Sequence, residues 1–208
     1  MIIQTKDIQG FESAIRGMRN PMDSWSMSDS KWLYHDDDSK LVYKIGERDK
    51  DLSIRLQKSG PEHCKHLRMI YVWVDITAPR YWWNEFDTYR AGVEKVSCST
   101  MHKLMARKLT MSDFEIDDKN STGFKIHVEY LNSLMDMYLK TEDAEEKKKV
   151  WRHIIQCLPQ SYLQKRTVCM SYAALRNIVR QREGHKLAEW KQFIEWAHTL
   201  SNSWMIFE

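Results

Sequence analysis

Leu158–Trp196, LPQSYLQKRTVCMSYAALRNIVRQREGHKLAEWKQFIEW, decides the fold, because within it a short strand hands directly onto a capped helix. Pro159 ends the helical pattern before it, and Arg166–Met170 (RTVCM) is a β-branched run short enough for a buried strand. Ser171 follows where an N-cap belongs, its hydroxyl placed to accept a backbone N–H of the first turn. Leu175, Ile178 and Val179 recur at three- and four-residue spacing and make one apolar stripe, whereas Asn177, Arg180 and Gln181 fall off it. Gly184 supplies the stop. Arg182 lies beyond Val179 and Ile178 on the same spacing, so it continues the stripe. A buried, unpaired guanidinium costs several kcal/mol, which calls for a partner: Glu183, Glu189 or an anionic, planar ligand.

Working outward, Met69–Thr77 (MIYVWVDIT) is the clearest strand, bulky and nearly uninterrupted, hence central in a sheet. Pro79 suits the first turn of a following helix that carries Trp82, Trp83, Phe86 and Tyr89. Met1–Thr5 reads as a short strand, Phe11–Arg19 as a helix with Ile15 and Met18 inward, and Asp49–Lys58 as a further helix. Asp23–Lys40 reads as a polar loop whose Asp36-Asp37-Asp38 run is a solvated face before it is a metal site. Lys108–Ser121 carries few signals. Phe124–Lys140 and Glu142–Cys157 read as two long helices, the second opening with acids that suit its dipole and with Thr141 as its cap. The order predicts one α+β domain over residues 1–208, a central, mostly antiparallel sheet with long helices packed on it.

Composition narrows the function classes. Hydrophobic residues at 42% and charged residues at 29% describe an ordinary globule, and 208 residues suffice for a sizeable core. A net charge of +3 accommodates a nucleotide and is too small to argue for a polynucleotide-coating protein. No apolar stretch approaches the roughly 18 residues of a membrane span. MIIQTKDIQG lacks a basic segment leading into an apolar one, so a cytoplasmic location is expected. The nine tryptophans and twelve methionines fit core filling first, and aromatic-lined pockets or a subunit interface second. Cys64, Cys98, Cys157 and Cys169 lack the spacing of a disulfide framework. His63, Cys64 and His66 with Cys98 and His102 do not have zinc-finger spacing, so no metal is expected. Nucleophile-elbow, Walker and dinucleotide glycine motifs are missing, which argues against hydrolase, P-loop and Rossmann chemistry.

Two stretches carry a resemblance. The LP at Leu158-Pro159, the strand, the Ser-capped helix with its Asn and Arg, and the amphipathic helix after it are similar to the C-terminal third of the flavin-dependent thymidylate synthases. Ser59–Arg90, SGPEHCKHLRMIYVWVDITAPRYWWNEFDTYR, resembles that family's His-containing loop, strand, Ala-Pro turn and helix ending in an arginine-rich signature. The likeness runs in order from Ser59 to Ala197. The family's Arg-His-Arg triplet stands here as Thr88-Tyr89-Arg90; Arg68 replaces a carboxylate, Glu85 replaces a Gln, and the signature's last arginine has only Lys103 as a substitute. The resemblance implies reductive methylation of dUMP to dTMP, with methylenetetrahydrofolate as carbon donor, reduced FAD as hydride source and NADPH recharging the flavin. It implies Arg182 and Glu85 on the nucleotide, and a substrate hydroxyl at Ser97 or Ser99, with Cys98 between them. It further implies flavin contacts from His63, Arg90, Ser171 and Asn177, and a homotetramer whose sites mix residues of several subunits. The altered signature motivates an alternative, a catalytically inactive homologue that binds a nucleotide for regulation or sequestration.

Overall fold

The computed structural model of the protein describes residues 1–34, 41–99 and 104–208. It is α+β, an antiparallel sheet with helices. Strands β1 (Ile2–Gln9), β4 (Tyr71–Pro79), β6 (Leu163–Ser171) and β5 (Val93–Ser97) form one sheet in the order β1-β4-β6-β5, while β2 (Lys31–Tyr34) and β3 (Leu41–Lys44) pair antiparallel as a separate two-stranded sheet. The helices are α1 (Phe11–Arg19), α2 (Glu47–Ser59), α3 (Arg80–Phe86), α4 (Thr122–Lys140), α5 (Ala144–Cys157), α6 (Tyr172–Arg182), α7 (Ala188–His198) and the short α8 (Trp204–Phe207). Contacts divide the chain into two compact units. One comprises Met1–Ile2, Ile76–Thr88 and Val96–Arg166; the other comprises Ile3–Asp75, Tyr89–Lys95 and Thr167–Glu208.

The first unit is built on α4 and α5, which bury Val128, Leu131, Leu134, Met135 and Ile154 with Leu104, Leu109 and Phe114. Their caps explain their ends. Ser121 accepts the Phe124 N–H at the start of α4, and Asp143 accepts the Glu146 N–H at the start of α5. Thr141, expected to cap α5, instead donates its hydroxyl back to the Met137 carbonyl and closes α4. In α3, Trp82, Trp83 and Phe86 are fully buried, so these rings serve the core of the chain itself. The Arg166 guanidinium lies over the Trp83 ring at 4.3 Å and grips both Asp87 carboxylate oxygens at 2.8 and 3.0 Å.

The second unit contains α1, α2, α6, α7 and α8. Its polar anchor is Asp49, fully buried in α2, which accepts from Arg19 Nε at 2.6 Å, from the hydroxyls of Ser28 and Ser30, and from the Asp29 and Ser30 N–H groups. Burial alone would push this carboxyl up, but the Ser28, Ser30 and Arg19 donors outweigh burial and hold it below the usual carboxylate range. That anchor ties down the Ser28–Ser30 segment. The expected polar loop contains a 3-10 turn (Trp25–Met27) and strand β2, and between them Ser28–Ser30 are held by a partner 19 to 21 residues away that local sequence patterning does not reveal. The Asp36-Asp37-Asp38 run lies outside the described residues. The remaining elements differ from expectation mostly at their ends, β1 extending to Gln9 and α3 stopping at Phe86 before Tyr89.

Candidate functional site

Helix α6 is positioned by the junction the sequence marks. Ser171 ends β6, donates its N–H to the Gly92 carbonyl at 2.9 Å and accepts the Ala174 N–H on its hydroxyl at 3.1 Å. Gly92 takes φ +70°, and a Cβ there would lie 2.8 Å from the Ser171 hydroxyl, so the turn before β5 closes directly over the cap. Ser171 is buried, which makes its hydroxyl first a structural group. Tyr172 follows, its N–H on the Ile70 carbonyl and its hydroxyl on the Ser201 carbonyl at 2.7 Å.

A cavity of about 210 Å³ opens against α6, lined by Pro61, Cys64, Leu67, Arg68, Ala173, Arg176, Asn177 and Arg180. Ala173, Arg176, Asn177 and Arg180 stand at i, i+3, i+4 and i+7, one helical face. The wall opposite comes from the 3-10 turns Pro61–His63 and Lys65–Met69. Arg68, Asn177 and Arg180 are exposed at the rim, whereas Arg176 is only 8% exposed. Arg176 directs Nη1 to the Cys64 sulfur at 3.5 Å, and its Nε has no hydrogen-bond partner among the described residues. Asn177 Oδ1 accepts from Gln181 at 3.0 Å. Behind this wall His66 is buried against the Ser53 hydroxyl at 2.8 Å, and Gln57 donates to the same hydroxyl at 3.3 Å. Burial lowers the His66 pKa to about 4, against an opposing hydrogen bond with the His63 backbone and with help from the Arg176 charge, so the imidazole is neutral at pH 7. Sequence patterning does not single out Arg176, although its spacing with Asn177 and Arg180 is the available signal, and it marks Arg68 only as a departure from the family's carboxylate.

Arg182 occupies a different face of α6. Five residues separate it from Asn177, which at about 100° per residue sets the two side chains roughly 140° apart around the helix. Its Nε donates to the Tyr89 hydroxyl at 2.8 Å, and its guanidinium lies 5.4 Å from the Tyr89 ring centroid and 4.4 Å from that of Trp190. It is half-buried, and the buried cation of α6 facing the cavity is Arg176 instead. Arg182 sits in the last turn, where the helix reaches the surface and Glu183 is exposed. Arg182 continues the line of the stripe and, at the helix end, is half-buried with Tyr89 and Trp190 as partners.

The other expected site residues spread across both units. His63 is half-exposed, 3.4 Å from Glu62. Arg90 is exposed, its carbonyl accepting the Val93 N–H. These two belong to the second unit with Ser171, Asn177 and Arg182; Glu85, Ser97 and Ser99 belong to the first. Ser97 ends β5 and is exposed, and Ser99 is partly buried. Between them Cys98 donates its N–H to Lys165 and accepts Gln164 Nε2 on its carbonyl. His102 and Lys103 lie outside the described residues. All four cysteines are free, and among the described residues no group of three His, Cys, Asp or Glu side chains is placed to hold a metal ion. No helix among them is long and apolar enough to cross a membrane.

No protein-family model matches the sequence, and no curated protein matches it. Among solved structures, thymidylate synthase X from Helicobacter pylori with FAD and dUMP superposes with a TM-score of 0.71 at 18% identity, over 100% of this chain and 98% of that one. A second structure of the flavin-dependent thymidylate synthase from the same organism, complexed with FAD and dUMP, gives 0.72 at 18% identity, over 99% and 98%. At that identity the likeness is one of fold.

Proposed function

From that shared fold we propose that the chain is a flavin-dependent thymidylate synthase-like protein that carries out reductive methylation of dUMP to dTMP with FAD, NADPH and methylenetetrahydrofolate. The observation that carries the reading is the full-length fold likeness to proteins solved with FAD and dUMP. The α6 cavity fits the cofactor's phosphates in chemistry: three guanidiniums and an amide converge there, and the buried Arg176 Nε is a donor in want of an acceptor. At about 210 Å³ it suits a phosphate group rather than a whole dinucleotide, since pockets that bury a complete drug-sized ligand run to roughly 300–1,000 Å³.

Arg68, Arg176, Arg180 and Asn177 would hold those phosphates, with His63, Arg90 and Ser171 completing the cofactor contacts. Bound flavin would supply the hydride. Arg182 would meet the nucleotide phosphate with its plane set by the Tyr89 and Trp190 rings, and Glu85, Ser97 and Ser99 would contact the pyrimidine. Because Asn177 and Arg182 leave α6 on different faces, one bound cofactor and one bound nucleotide are best joined by a second copy of the chain. A homotetramer with composite sites is the proposed assembly, and the cytoplasm the proposed location.

A specific observation favours a second reading. The middle position of the degenerate signature, Tyr89, is turned onto Arg182, so one altered residue is spent on an internal contact. A non-catalytic nucleotide-binding homologue would keep that contact. Titration of the purified chain with FAD, followed by absorbance and fluorescence quenching, tests the enzyme reading. Saturable uptake with quenching is expected; no uptake, with dUMP still binding in calorimetry, leaves only the binding protein.

A further inference from the structure

Cys64 forms part of the cavity wall and has no part in the chemistry proposed above. It is 6% exposed, its thiol is 3.3 Å from the Gly60 carbonyl, and Arg176 Nη1 stands 3.5 Å from its sulfur. The same Arg176 is over nine-tenths buried, lines the cavity and carries an Nε without a partner among the described residues. Exposed Arg68 and Arg180 add two further cations at the opening. A thiol beside an unsatisfied guanidinium at the bottom of a cationic cavity selects reagents that are both thiol-reactive and anionic.

We propose that Cys64 is a thiol-modification site that takes small, carboxylate-bearing disulfides. In the reaction the Cys64 sulfur, its proton released to solvent, attacks one sulfur of the incoming disulfide. A new S–S bond forms, the old one breaks, and the leaving half departs as a thiolate that takes up a proton. Cys64 is oxidised to the mixed disulfide and half of the reagent is reduced to the thiol, so no further oxidant is needed. The retained half brings its carboxylate to the Arg176 guanidinium, satisfying the orphaned nitrogen. This goes beyond the thymidylate reading and does not depend on it.

The test compares two small disulfides of similar size, dithiodipropionate, which is anionic, and hydroxyethyl disulfide, which is neutral. Each is reacted with the full chain, and all four cysteines are mapped by mass spectrometry over time. Exposed Cys98 supplies the reference ratio of anionic to neutral rates. For Cys64 the ratio should exceed that reference by about tenfold, the effect of one charge-assisted hydrogen bond. Arg176→Met should return it to the reference, and inorganic phosphate should slow the anionic reagent at Cys64 alone. Phosphate competition on the unsubstituted chain decides the matter if Arg176→Met does not fold. No labelling of Cys64 in the folded protein, a ratio equal to that of Cys98, or indifference to phosphate overturns the proposal. A chain that takes up no FAD but labels Cys64 selectively keeps the proposal; where FAD binds, it should slow the anionic reagent at Cys64 as inorganic phosphate does, and a flavin-free chain that does not label loses the proposal.

Discussion

Arg182→Ala separates a structural from a ligand-binding role because the contacts that hold its guanidinium to Tyr89 and Trp190 are local to this chain. The substitution removes the hydrogen bond to the Tyr89 hydroxyl, about 1 kcal/mol net. It also removes two ring contacts, with Trp190 and Tyr89, at roughly 0.5–1 kcal/mol each. Together these come to about 2–3 kcal/mol, and at roughly 2–4 °C per kcal/mol for a chain of this size, Tm should fall by about 4–12 °C. Tyr89→Phe keeps the ring but removes a hydroxyl that accepts from Arg182 and donates to Gln181, two hydrogen bonds at about 1 kcal/mol each, so a fall of about 4–8 °C is expected of it. A double-mutant cycle by urea unfolding should give a coupling of about 1 kcal/mol. In calorimetry with dUMP, Arg182→Ala should weaken binding at least tenfold, the loss of one charged hydrogen bond at about 1.4 kcal/mol per decade. Tyr89→Phe should weaken it less, since the guanidinium remains on Trp190. An Arg182→Ala protein that melts within about 1 °C of the parent shows that the Tyr89 and Trp190 contacts contribute nothing to stability. Unchanged dUMP affinity refutes the substrate role, whatever happens to Tm.

Gly92→Ala forces a side chain onto a φ of +70° and sets its Cβ 2.8 Å from the Ser171 hydroxyl. A loss of about 1–3 kcal/mol is expected from backbone strain and the disturbed cap. Chemical denaturation should find a smaller loss in a Ser171→Ala background, where the clash is relieved; an equal loss in both would show that the close approach is immaterial. His66 predicts a pH dependence. Its folded pKa of about 4 lies below the ordinary 6.5, so the folded state resists protonation and the unfolded state does not. Its contribution is therefore complete above pH 6.5 and is lost as pH falls from 6.5 toward 4, on the order of 3 kcal/mol at about 1.4 kcal/mol per pH unit. Urea midpoints between those pH values should slope accordingly, and His66→Gln should flatten the slope; an unchanged slope in the variant assigns it elsewhere.

The elements legible in the sequence are those whose signal is local and periodic. Helix α1 matches its expected bounds, and β6 with the Ser171 cap follows from a β-branched run meeting a residue that prefers caps. Strand β4 was legible from bulk alone, and Val72, Val74, Ile76 and Ala78 line its buried face. The misses are non-local. Strands β2 and β3 are short and display exposed Trp32, Leu33, Leu41 and Val42, so no alternation sets them apart from loop. What orders the approach to β2 is Asp49 in α2, through the Ser28 and Ser30 hydroxyls, a tertiary contact that outranks propensity.

At the site the apolar stripe and the exposed positions Asn177, Arg180 and Gln181 are legible in the sequence, and the burial of Arg176 is not. Leu175, Ile178 and Val179 are buried as the period requires. A hydrophobic period, however, assigns every off-stripe position to solvent by default, and α6 departs from that at Arg176. This arginine lies beside Tyr172 and Val179 on the wheel, close enough to the buried side for the Lys65–Met69 turn to cover it, yet far enough round to face the cavity with Asn177 and Arg180. Burying a cation there is unfavourable unless an anion completes it, because a partnerless buried donor costs about 1–3 kcal/mol, more when charged. Arg182 invites no such inference, since Tyr89 and Trp190 already hold it. The unsatisfied Nε of Arg176, rather than the arginine that the family likeness singles out, is thus where this chain's own chemistry asks most directly for a ligand.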